Sequence, residues 1–381
     1  MILLWLLLGF ALGYQLANRY LVSRFYRFEL SPAPRLKPDF PVSHLKTIHG
    51  RQERSEENWR SYIDQDYQGR SEVIFTAGRL GDPALEVARS IAASDPRVRV
   101  IEGDASGLGV NPKVANMIQG FPHCNHDIIL SSDSDMFAPP DYMDKVMACF
   151  EDPQVGLVTC LYCIQRVNSP AMALEALSVL DFSTSVLVAR ALEGMSFGLG
   201  ANLVMRRQAL EQIGGLEALA DYLAEDYQVG NRMHRAGWKV KLAGVVVEDV
   251  VPQISLKDYF LHQLRWMRTY RISRPGGHFA YIVTQGALWA TLLLLLQGGL
   301  AGWGAFLGWW AVRLGCTAYS WTVFGGRQVP LWIGWLVVKD YFYLGLWALS
   351  LRGNRVRWGP RELELFPDGR MRLVGGLDPR P

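Results

Sequence analysis

The stretch Ile128-Ile129-Leu130-Ser131-Ser132-Asp133-Ser134-Asp135 decides the fold expected for this chain. Its apolar run is long enough for a buried strand, and it ends in two carboxylates separated by one residue. Ligands of open α/β sheets bind at the carboxyl ends of the strands, and side chains at i and i+2 of extended chain lie on the same side. Asp133 and Asp135 are therefore candidate ligands of Mg²⁺ or Mn²⁺, held together with the phosphates of a substrate. The short D-x-D pattern is equally typical of a strand that ends in a solvated acidic turn.

Apolar strands alternate with helical patterns between about residues 40 and 250. The expected strands are Val42–Ile48, Val73–Ala77, Val98–Glu102, Asp127–Ser132 and Val155–Tyr162. The expected helices are Ser55–Gln65, Pro83–Ala93, Pro112–Phe121 and Pro140–Phe150, each of the last three with a proline suited to its first turn. This order predicts a largely parallel sheet with helices on both faces. The segment Pro32–Pro41 contains four prolines and is the expected link from the N-terminal region to this domain.

Composition narrows the possible functions. At 381 residues the chain has room for roughly two domains of ordinary size. The net charge is +3, which argues against nucleic acid as a partner. Of the five cysteines, Cys160 and Cys163 form a single C-x-x-C inside a strand-like run, and no second pair stands at the spacing of a zinc site. We therefore expect reduced cysteines that pack in the core, rather than a metal or redox site.

Both ends of the chain have the composition of membrane segments. The N-terminal run Met1–Tyr14 is apolar and continues weakly to Ala17, which is near the lower length limit for a spanning helix. The alternative is a cleaved signal peptide, but no basic region precedes Ile2. Arginines at 19, 24 and 27 follow the run instead. The positive-inside rule therefore predicts an uncleaved anchor with the rest of the chain on the cytoplasmic face, which is the inner membrane if the source is bacterial.

The C-terminal third predicts further membrane helices. Phe279–Leu296 and Gly299–Phe324 are almost free of charge and read as a hairpin that turns at Gln297-Gly298-Gly299. Leu331–Leu351 is apolar but carries Lys339 and Asp340 near its middle. This third segment either crosses the membrane or lies in its interface with the charged pair outward.

The charge of the tail that follows these segments indicates how many times the chain crosses the membrane. Four arginines after Leu351 place the tail inside, so two crossings and one interfacial helix are favoured over three crossings. Arg355–Leu373 reads as a small hairpin that turns at Pro367-Asp368-Gly369.

Several polar residues of the middle region each have two possible roles when they are considered singly. Asp82 precedes a proline and is either a helix N-cap or a ligand contact at a strand end. Lys113 closes a glycine-bearing loop and either approaches a phosphate or is solvated. Asp226 begins a helical pattern, where acids are common. The arginines at 265, 268, 271 and 274 either bind lipid headgroups or clamp a diphosphate at the membrane surface.

Together these segments resemble the membrane-bound inverting glycosyltransferases of family 2 type, and most of all the ceramide glucosyltransferase family (family 21). Gly81-Asp82-Pro83-Ala84 resembles the first aspartate motif D-D-P-A, and Gly109-Val110-Asn111-Pro112-Lys113 resembles G-x-N-P-K. Asp133-Ser134-Asp135 occupies the second aspartate motif, and Leu223-Ala224-Glu225-Asp226-Tyr227 matches L-A-E-D-Y, the third. His262-Gln263-Leu264-Arg265-Trp266 stands at the Q/R-x-x-R-W signature, with histidine in its first position.

The resemblance implies a GT-A-like α/β domain and a role for each matching residue. Asp82 would contact the uracil side of the nucleotide. Asp133 would address the ribose and diphosphate, and Asp135 with Asp133 would hold a divalent metal, Mn²⁺ or Mg²⁺. Asp226 would be the catalytic base. The signature residues His262, Arg265 and Trp266 would close over the diphosphate and acceptor, and Lys113 would bind a phosphate.

The expected organisation and activity follow from that resemblance. It comprises a transmembrane anchor (1–28), a glycosyltransferase domain that ends in an arginine-rich interfacial helix (29–277), membrane helices (278–351) and a basic hairpin or tail (352–381). The expected reaction transfers a hexose from a UDP-sugar, UDP-glucose above all, to the hydroxyl of a ceramide-like membrane lipid. Its partners are the nucleotide sugar, the lipid acceptor and the bilayer.

Two other functions stay open. A hopanoid-associated N-acetylglucosaminyltransferase is the alternative within the superfamily, because Arg265-Trp266-Met267-Arg268-Thr269-Tyr270-Arg271 fits the R-W-x-R-T-x-R pattern of that group. An alternative of another class is a non-catalytic lipid-binding membrane protein with a glycosyltransferase-like fold. A processive polysaccharide synthase is disfavoured because few membrane helices are available to form an export channel.

Overall fold

The computed structural model describes residues 1–30, 38–359 and 361–376. The predicted link Pro32–Pro41 falls mostly on residues 31–37, outside the described residues. The strands are β1 (Val42–Thr47), β2 (Ser71–Ala77), β3 (Val98–Glu102), β4 (Ile128–Ser132), β5 (Met136–Phe137), β6 (Val155–Cys163), β7 (Asn202–Arg206), β8 (Lys239–Asp249), β9 (Arg355–Trp358), β10 (Arg361–Leu365) and β11 (Met371–Gly376). The helices are α1 (Ile2–Phe28), α2 (Ser55–Ile63), α3 (Ala84–Ser94), α4 (Pro112–Gly120), α5 (Tyr142–Met147), α6 (Pro170–Glu193), α7 (Arg207–Gln212), α8 (Glu225–Arg235), α9 (Leu256–Ser273), α10 (Pro275–Ala280), α11 (Gly286–Gln297), α12 (Gly299–Val323), α13 (Val329–Trp332) and α14 (Trp335–Ser350).

Strands β1 to β8 form one mixed, mostly parallel sheet in the order β3-β2-β1-β4-β7-β6-β8-β5. Strands β3, β2, β1 and β4 run parallel, β7 is antiparallel to both β4 and β6, and β8 is parallel to β6. The predicted parallel core is confirmed, and each of the five predicted strands ends within two residues of its observed bounds. Strands β1, β4 and β6 are buried along their whole length, because helices or loops cover both faces of the sheet at its centre.

The prolines confirm only one of the three predicted helix starts. Pro112 occupies the first turn of α4, where its missing N–H costs nothing, and the Asn111 side chain caps that helix. Pro83 is the residue before α3 rather than a residue of its first turn. The expectation for Pro140 is wrong, because α5 begins only at Tyr142.

Helix α1 is bound to the rest of the chain along its length. Its first half packs against α11 and α12 through Leu8 and Ala11, and Glu29, the residue that follows it, lies against β8. A Cβ atom placed on Gly244 would stand 2.0 Å from the carbonyl oxygen of Glu29, so only glycine allows this approach. Near the other end, Trp5 Nε1 donates to Gln297 Oε1 at 2.9 Å. The start of α1 is therefore at the same level as the α11–α12 turn.

The predicted turn of the α11–α12 hairpin is confirmed. Gly298 and Gly299 both have positive φ, 61° and 57°, and join the two helices. Large apolar side chains are exposed around this end of the bundle, namely Ile2, Leu3, Leu6, Leu295, Leu296 and Leu300. An exposed apolar surface at the end of such a bundle is typical of a lipid-facing surface.

Two helices of the described chain are long and apolar enough to cross a membrane, Ile2–Phe28 and Pro170–Glu193. The bent pair Pro275–Thr284 and Gly286–Gln297 adds a third if it counts as one span. The most hydrophobic window of Pro170–Glu193 is 78% buried inside the protein, which is the environment of a core helix.

The third predicted membrane segment is broken into α13 and α14, and α14 contacts the α/β domain at several levels. In the first half of α14, Lys339 is paired with Asp181 of α6. Tyr343 donates to Gln263 of α9, and the Ser350 carbonyl accepts from Arg271 at 2.5 Å. The expectation that the charged pair faces outward is wrong, since Lys339 and Asp340 are 1% and 3% exposed.

The C-terminal strands form a separate antiparallel sheet, β11-β10-β9. The predicted turn is confirmed between β10 and β11, where Gly369 has a φ of 89°. Val356, Leu363, Leu365 and Met371 of this sheet bury Leu223, which lies just before α8. The tail is therefore docked against the loop that precedes α8.

Candidate active site

A single cavity of about 1280 Å³ runs from the end of β4 to the membrane-side helices. Asp133, Asp135 and Asp226 line it at the sheet, as the sequence predicts for side chains at strand and helix ends. Tyr14 of α1 and Arg313 of α12 line its other part. The acids that are distant in sequence thus face one space, and that space reaches the helices of the apolar bundle.

Asp135 is a carboxylate prepared for a cation. Its Oδ1 atom is buried and has no hydrogen-bond partner among the described residues. Burial, with the nearby charge of Asp133, raises the pKa of Asp135 to about 6. The backbone on either side is fixed, because Lys46 Nζ donates to the Asp133 carbonyl at 2.8 Å and the Val250 N–H donates to the Asp135 carbonyl at 2.9 Å.

Asp249, at the end of β8, is a third acid of this region that sequence analysis missed. It lines the cavity, and the described residues offer its carboxylate no hydrogen bond or ion pair. Burial and then the charge of Asp135 hold its pKa well above the usual value. The signal was present in the sequence, because Val245-Val246-Val247-Glu248-Asp249 is another apolar run that ends in acids.

The hard oxygen atoms at this end of the cavity fit a divalent cation. Asp133 and Asp135 supply carboxylate oxygens, and an orphaned buried Oδ1 is the kind of atom that a cation would satisfy. No group of three or more His, Cys, Asp or Glu side chains is arranged as a metal cluster in the described ranges. Substrate phosphates or water would therefore complete the coordination, as is usual for Mg²⁺ and Mn²⁺.

Lys113 lies between the acids of two loops. Its Nζ atom is 2.6 Å from Asp133 Oδ1, 3.2 Å from Glu225 Oε1 and 2.9 Å from the Gly200 carbonyl oxygen. Burial alone would lower the pKa of Lys113, but the two carboxylates outweigh it and raise the pKa. Lys113 is thus a permanent cation in the cavity wall, neither freely solvated nor free of protein partners.

Asp226 stands at the start of α8, in a pocket closed by glycine. Its Oδ1 accepts the N–H of Tyr227 at 2.7 Å, and a Cβ on Gly200 would lie 3.2 Å from its Oδ2. Burial, followed by the neighbouring charge of Glu225, raises the pKa of Asp226 to about 7. A carboxylate with this pKa exchanges protons near neutral pH, which is the property required of a general base.

Arg265 of α9 is a half-buried cation for which no acceptor is found among the described residues. The described residues provide no hydrogen-bond acceptor or carboxylate for its guanidinium, which lines the cavity and has Trp358 as its aromatic neighbour, 5.3 Å from the ring centroid. Burial lowers the pKa of Arg265. Five unused N–H donors directed at a cavity are suited to an anionic ligand such as a diphosphate.

The rest of the α9 signature is held by aromatic and acidic neighbours. Trp266 lines the cavity and packs edge-on against Phe182 and His262. His262 also faces the cavity, and its Nδ1 is 2.7 Å from Glu175 Oε1. Glu175, on the buried helix α6, is a further residue that sequence analysis did not identify, and its other oxygen has no partner in the described structure.

Three of the four arginines of this region bind the protein itself. Arg268 donates to the Arg355 carbonyl, and Arg271 donates to the Gly353 carbonyl at 2.7 Å. Arg274 pairs with Glu193, although it also borders the cavity. Binding to lipid headgroups is therefore not needed to explain Arg268 and Arg271, which attach α9 to the C-terminal sheet.

Asp82 lies behind the cavity wall rather than in it. It is 4% exposed, and its Oδ1 accepts the N–H groups of Gly50 at 2.8 Å and Ala84 at 2.9 Å. Its Oδ2 is 2.8 Å from His49 Nδ1. Asp82 thus accepts the first N–H of α3, but the N-cap residue of that helix is Pro83, so the N-cap prediction for Asp82 is not confirmed. His49 lines the cavity and contacts Asp82, which does not line it.

Four charged side chains meet at the membrane end of the cavity. Arg313 of α12 contacts Asp181 of α6 at 2.5 Å and Asp340 of α14 at 2.9 Å, and Lys339 pairs with the same two acids. We call these four residues the charge quartet. It contains two cations and two anions, so that no single charge is buried without a counter-ion.

The chain is similar in sequence to curated proteins. Ceramide glucosyltransferase 1 of Caenorhabditis elegans is 28% identical over 241 residues, which are 61% of this chain and 50% of that protein. An N-acetylglucosaminyltransferase of Rhizobium meliloti (strain 1021) is 27% identical over 224 residues, 55% of this chain and 50% of that protein. The chain spans about half the length of these curated relatives.

The fold is also that of a known enzyme structure. The mannosyltransferase PcManGT from Pyrobaculum calidifontis, solved with GDP-Man and Mn²⁺, superposes with a TM-score of 0.54 at 16% identity, over 91% of this chain and 95% of that one. The sequence model of Glycosyl transferase family 21 matches residues 3–371, nearly the whole chain. The chain therefore belongs to glycosyl transferase family 21 and contains a GT-A-like domain.

Proposed function

We propose that this enzyme transfers a hexose from a UDP-sugar, UDP-glucose in the first place, to the hydroxyl of a ceramide-like membrane lipid. The observation that carries the proposal is the continuity of the cavity, which joins the acids after β4 to side chains of α1, α12 and α14. A lipid alcohol leaves the bilayer only at a large free-energy cost, so a site that acts on one must reach the membrane helices. The ceramide glucosyltransferase relatives support the choice of lipid.

One group of the proposed site residues binds the nucleotide sugar. Asp133 and Asp135 would hold a divalent cation on the diphosphate, as the Mn²⁺ and GDP-Man of the mannosyltransferase structure support. Such a cation, when bound, neutralises charge that develops on the leaving diphosphate. Arg265 adds five N–H donors on the same wall, and Lys113 adds a fixed charge. Asp82 supports the nucleotide end through His49.

Asp226 is the proposed base. The acceptor hydroxyl is a poor nucleophile until its proton is removed, and a carboxylate with a pKa near 7 takes that proton during attack. The proton then resides on Asp226, the bond between sugar and diphosphate breaks, and the new glycosidic bond forms on the opposite face. Attack from that face inverts the anomeric centre, so an α-linked donor yields a β-glycoside.

The proposed organisation keeps the anchor at 1–28, the catalytic domain at 29–277, membrane helices within 278–351 and the basic tail at 352–381. Contacts of both halves of α14 with the α/β domain support an interfacial position for this helix rather than a third crossing. The arginines that end α1 support a cytoplasmic catalytic domain.

The test is transfer by the purified full chain in detergent or nanodiscs. Each of UDP-glucose and UDP-N-acetylglucosamine is offered with a ceramide and with a hopanoid, and the lipid products are identified by mass spectrometry. A glucosylated ceramide supports the proposal. An N-acetylglucosaminylated hopanoid would replace it with the activity that the Rhizobium meliloti relative suggests. Nucleotide-sugar binding with no transfer to any lipid would favour a non-catalytic lipid-binding protein.

A further inference from the structure

The C-terminal sheet forms one wall of the cavity. Trp358, Gly359 and Arg361 of this sheet line the same space as Asp226 and Arg265. Trp358 ends β9 and Arg361 begins β10, and the two residues are direct partners in the register of that antiparallel pair. Partners directly opposite in a sheet project from the same face. Their side chains therefore both face the cavity.

The sheet is fixed to the catalytic loops by hydrogen bonds from several sides. The Met371 N–H donates to the Asp221 carbonyl at 2.8 Å, and Arg271 of α9 donates to the Gly353 carbonyl at 2.7 Å. Leu223, three residues before Asp226, is buried in the hydrophobic core of the sheet. The positions of Trp358 and Arg361 are thus set by the same contacts that hold the start of α8.

Arg361 has few partners in the protein. Its only hydrogen bond among the described residues is a long one of 3.4 Å to the Val110 carbonyl, in the loop that leads to Lys113. None of the described carboxylates lies within ion-pair distance of it. The indole of Trp358, the register partner of Arg361, is the ring that stands under the Arg265 guanidinium. Two guanidinium groups without counter-ions therefore stand on one wall.

We propose that Arg361 is a second arginine for the diphosphate of the donor and that Trp358 is a positioning residue that holds Arg265 in place. The inference rests on the proposed function, because it assumes a nucleoside diphosphate in this cavity. Such a ligand brings two or more negative charges, and Lys113, Arg265 and Arg361 would then surround it from α4, α9 and β10. The C-terminal sheet becomes part of the donor site instead of a peripheral tail.

The experiment measures binding of UDP in the presence of Mn²⁺ to the full chain, with the Arg361→Gln and Arg361→Lys variants. Loss of one charge-assisted hydrogen bond predicts a dissociation constant weaker by roughly tenfold for Arg361→Gln, and a flatter dependence on salt. Arg361→Lys keeps the charge but loses the planar fork, so we expect an intermediate value. Arg372→Gln is the matched control, since Arg372 lies exposed on β11 and pairs with Glu364.

Three results are informative. Weaker binding in Arg361→Gln alone, with normal binding in the control, supports the inference. Equal affinity and equal salt dependence in Arg361→Gln and wild type would overturn it while leaving the proposed function intact. A wild-type chain that does not bind UDP would overturn the proposed function and the inference with it.

The role of Trp358 is tested by measuring UDP affinity and kcat/KM in variants of this residue. Trp358→Leu removes the ring beneath Arg265, so we expect both UDP affinity and kcat/KM to fall by about tenfold, the scale of a desolvated cation–π contact with its loss of orientation. Trp358→Phe retains an aromatic face and should recover most of the loss. A purely structural role predicts instead that the fraction of folded protein changes and that UDP affinity of the folded fraction does not.

Discussion

Replacing Asp226 by asparagine should stabilise the protein at neutral pH while it abolishes transfer. The pKa of Asp226 is raised from 3.8 to about 7 in the fold, mainly by burial and then by Glu225. At about 1.4 kcal/mol for each pKa unit, this difference corresponds to up to about 4 kcal/mol. The structure thus carries a carboxylate that is unfavourable when ionised, at a position where a neutral amide of the same shape fits.

The sign of the pH effect follows from the protonation of Asp226 in the folded and in the unfolded chain. The folded chain keeps the proton of Asp226 up to about pH 7, whereas the unfolded chain releases it near pH 4. The folded state therefore binds more protons in this window, and the stability that protonated Asp226 allows is fully present below about pH 4 and is lost as the pH rises through about 7. Asparagine does not titrate, so its advantage over aspartate should grow from near zero at low pH to its maximum at about pH 8.

The assay is chemical denaturation of the full chain in detergent at several pH values between about 5 and 8, followed by the fluorescence of its 13 tryptophans. Glu211→Gln, an exposed acid on α7, controls for the removal of a negative charge. Transfer is measured on the same samples and should fall by about 10²–10⁴-fold in Asp226→Asn. A variant with wild-type stability at every pH, or with wild-type transfer, would refute the assignment of Asp226 as a base with a raised pKa.

Three further outcomes can be measured separately. The kcat/KM of wild type should rise about tenfold per pH unit below about pH 7 and level off above it, because only ionised Asp226 accepts a proton; a flat profile would exclude it as the rate-limiting base. Asp135→Ala should weaken Mn²⁺ binding by at least tenfold in an electron paramagnetic resonance titration of the free cation, and unchanged Mn²⁺ affinity would remove Asp135 from the metal site. Arg313→Ala should lower the free energy of unfolding by about 3–5 kcal/mol because Asp181 and Asp340 are left with Lys339 as their one shared cation, and a near-wild-type denaturation midpoint would show that water replaces the guanidinium.

The parallel half of the sheet was predictable because its strands follow one rule. Each is an apolar run bounded by turn residues, and a strand that is covered on both faces leaves that pattern in the sequence. Strand β7 was missed because it runs antiparallel between β4 and β6, so its pairing depends on residues far away in the chain. Helix α6 was missed because it is apolar on nearly all sides, which leaves no polar face to mark a helical period.

Some of the site residues could be predicted from the sequence and others could not, for physical reasons. Asp133, Asp135 and Asp226 converge because strand ends and a helix start meet at one edge of the sheet. The arginines of α9 could not be assigned from sequence, since the acceptors of Arg268 and Arg271 are backbone carbonyls about 80 residues later. Lys46 was not predicted as a site residue, although it is a lysine in a buried strand, where burial lowers its pKa to about 7. The outward orientation expected of Lys339 failed because its partner, Asp181, belongs to the unrecognised helix α6.

The charge quartet has a consequence for biogenesis. An arginine near the middle of a hydrophobic helix adds about 2.5–3.5 kcal/mol to insertion by the translocon. Helix α12 follows α6 in the chain, so Asp181 is synthesised before Arg313, its partner in the folded protein. A truncated chain that ends before α12 would leave this acid without either cation. Soluble fragments designed by deleting the C-terminal third should therefore misfold or aggregate, and reconstitution from two co-expressed pieces is the more promising route.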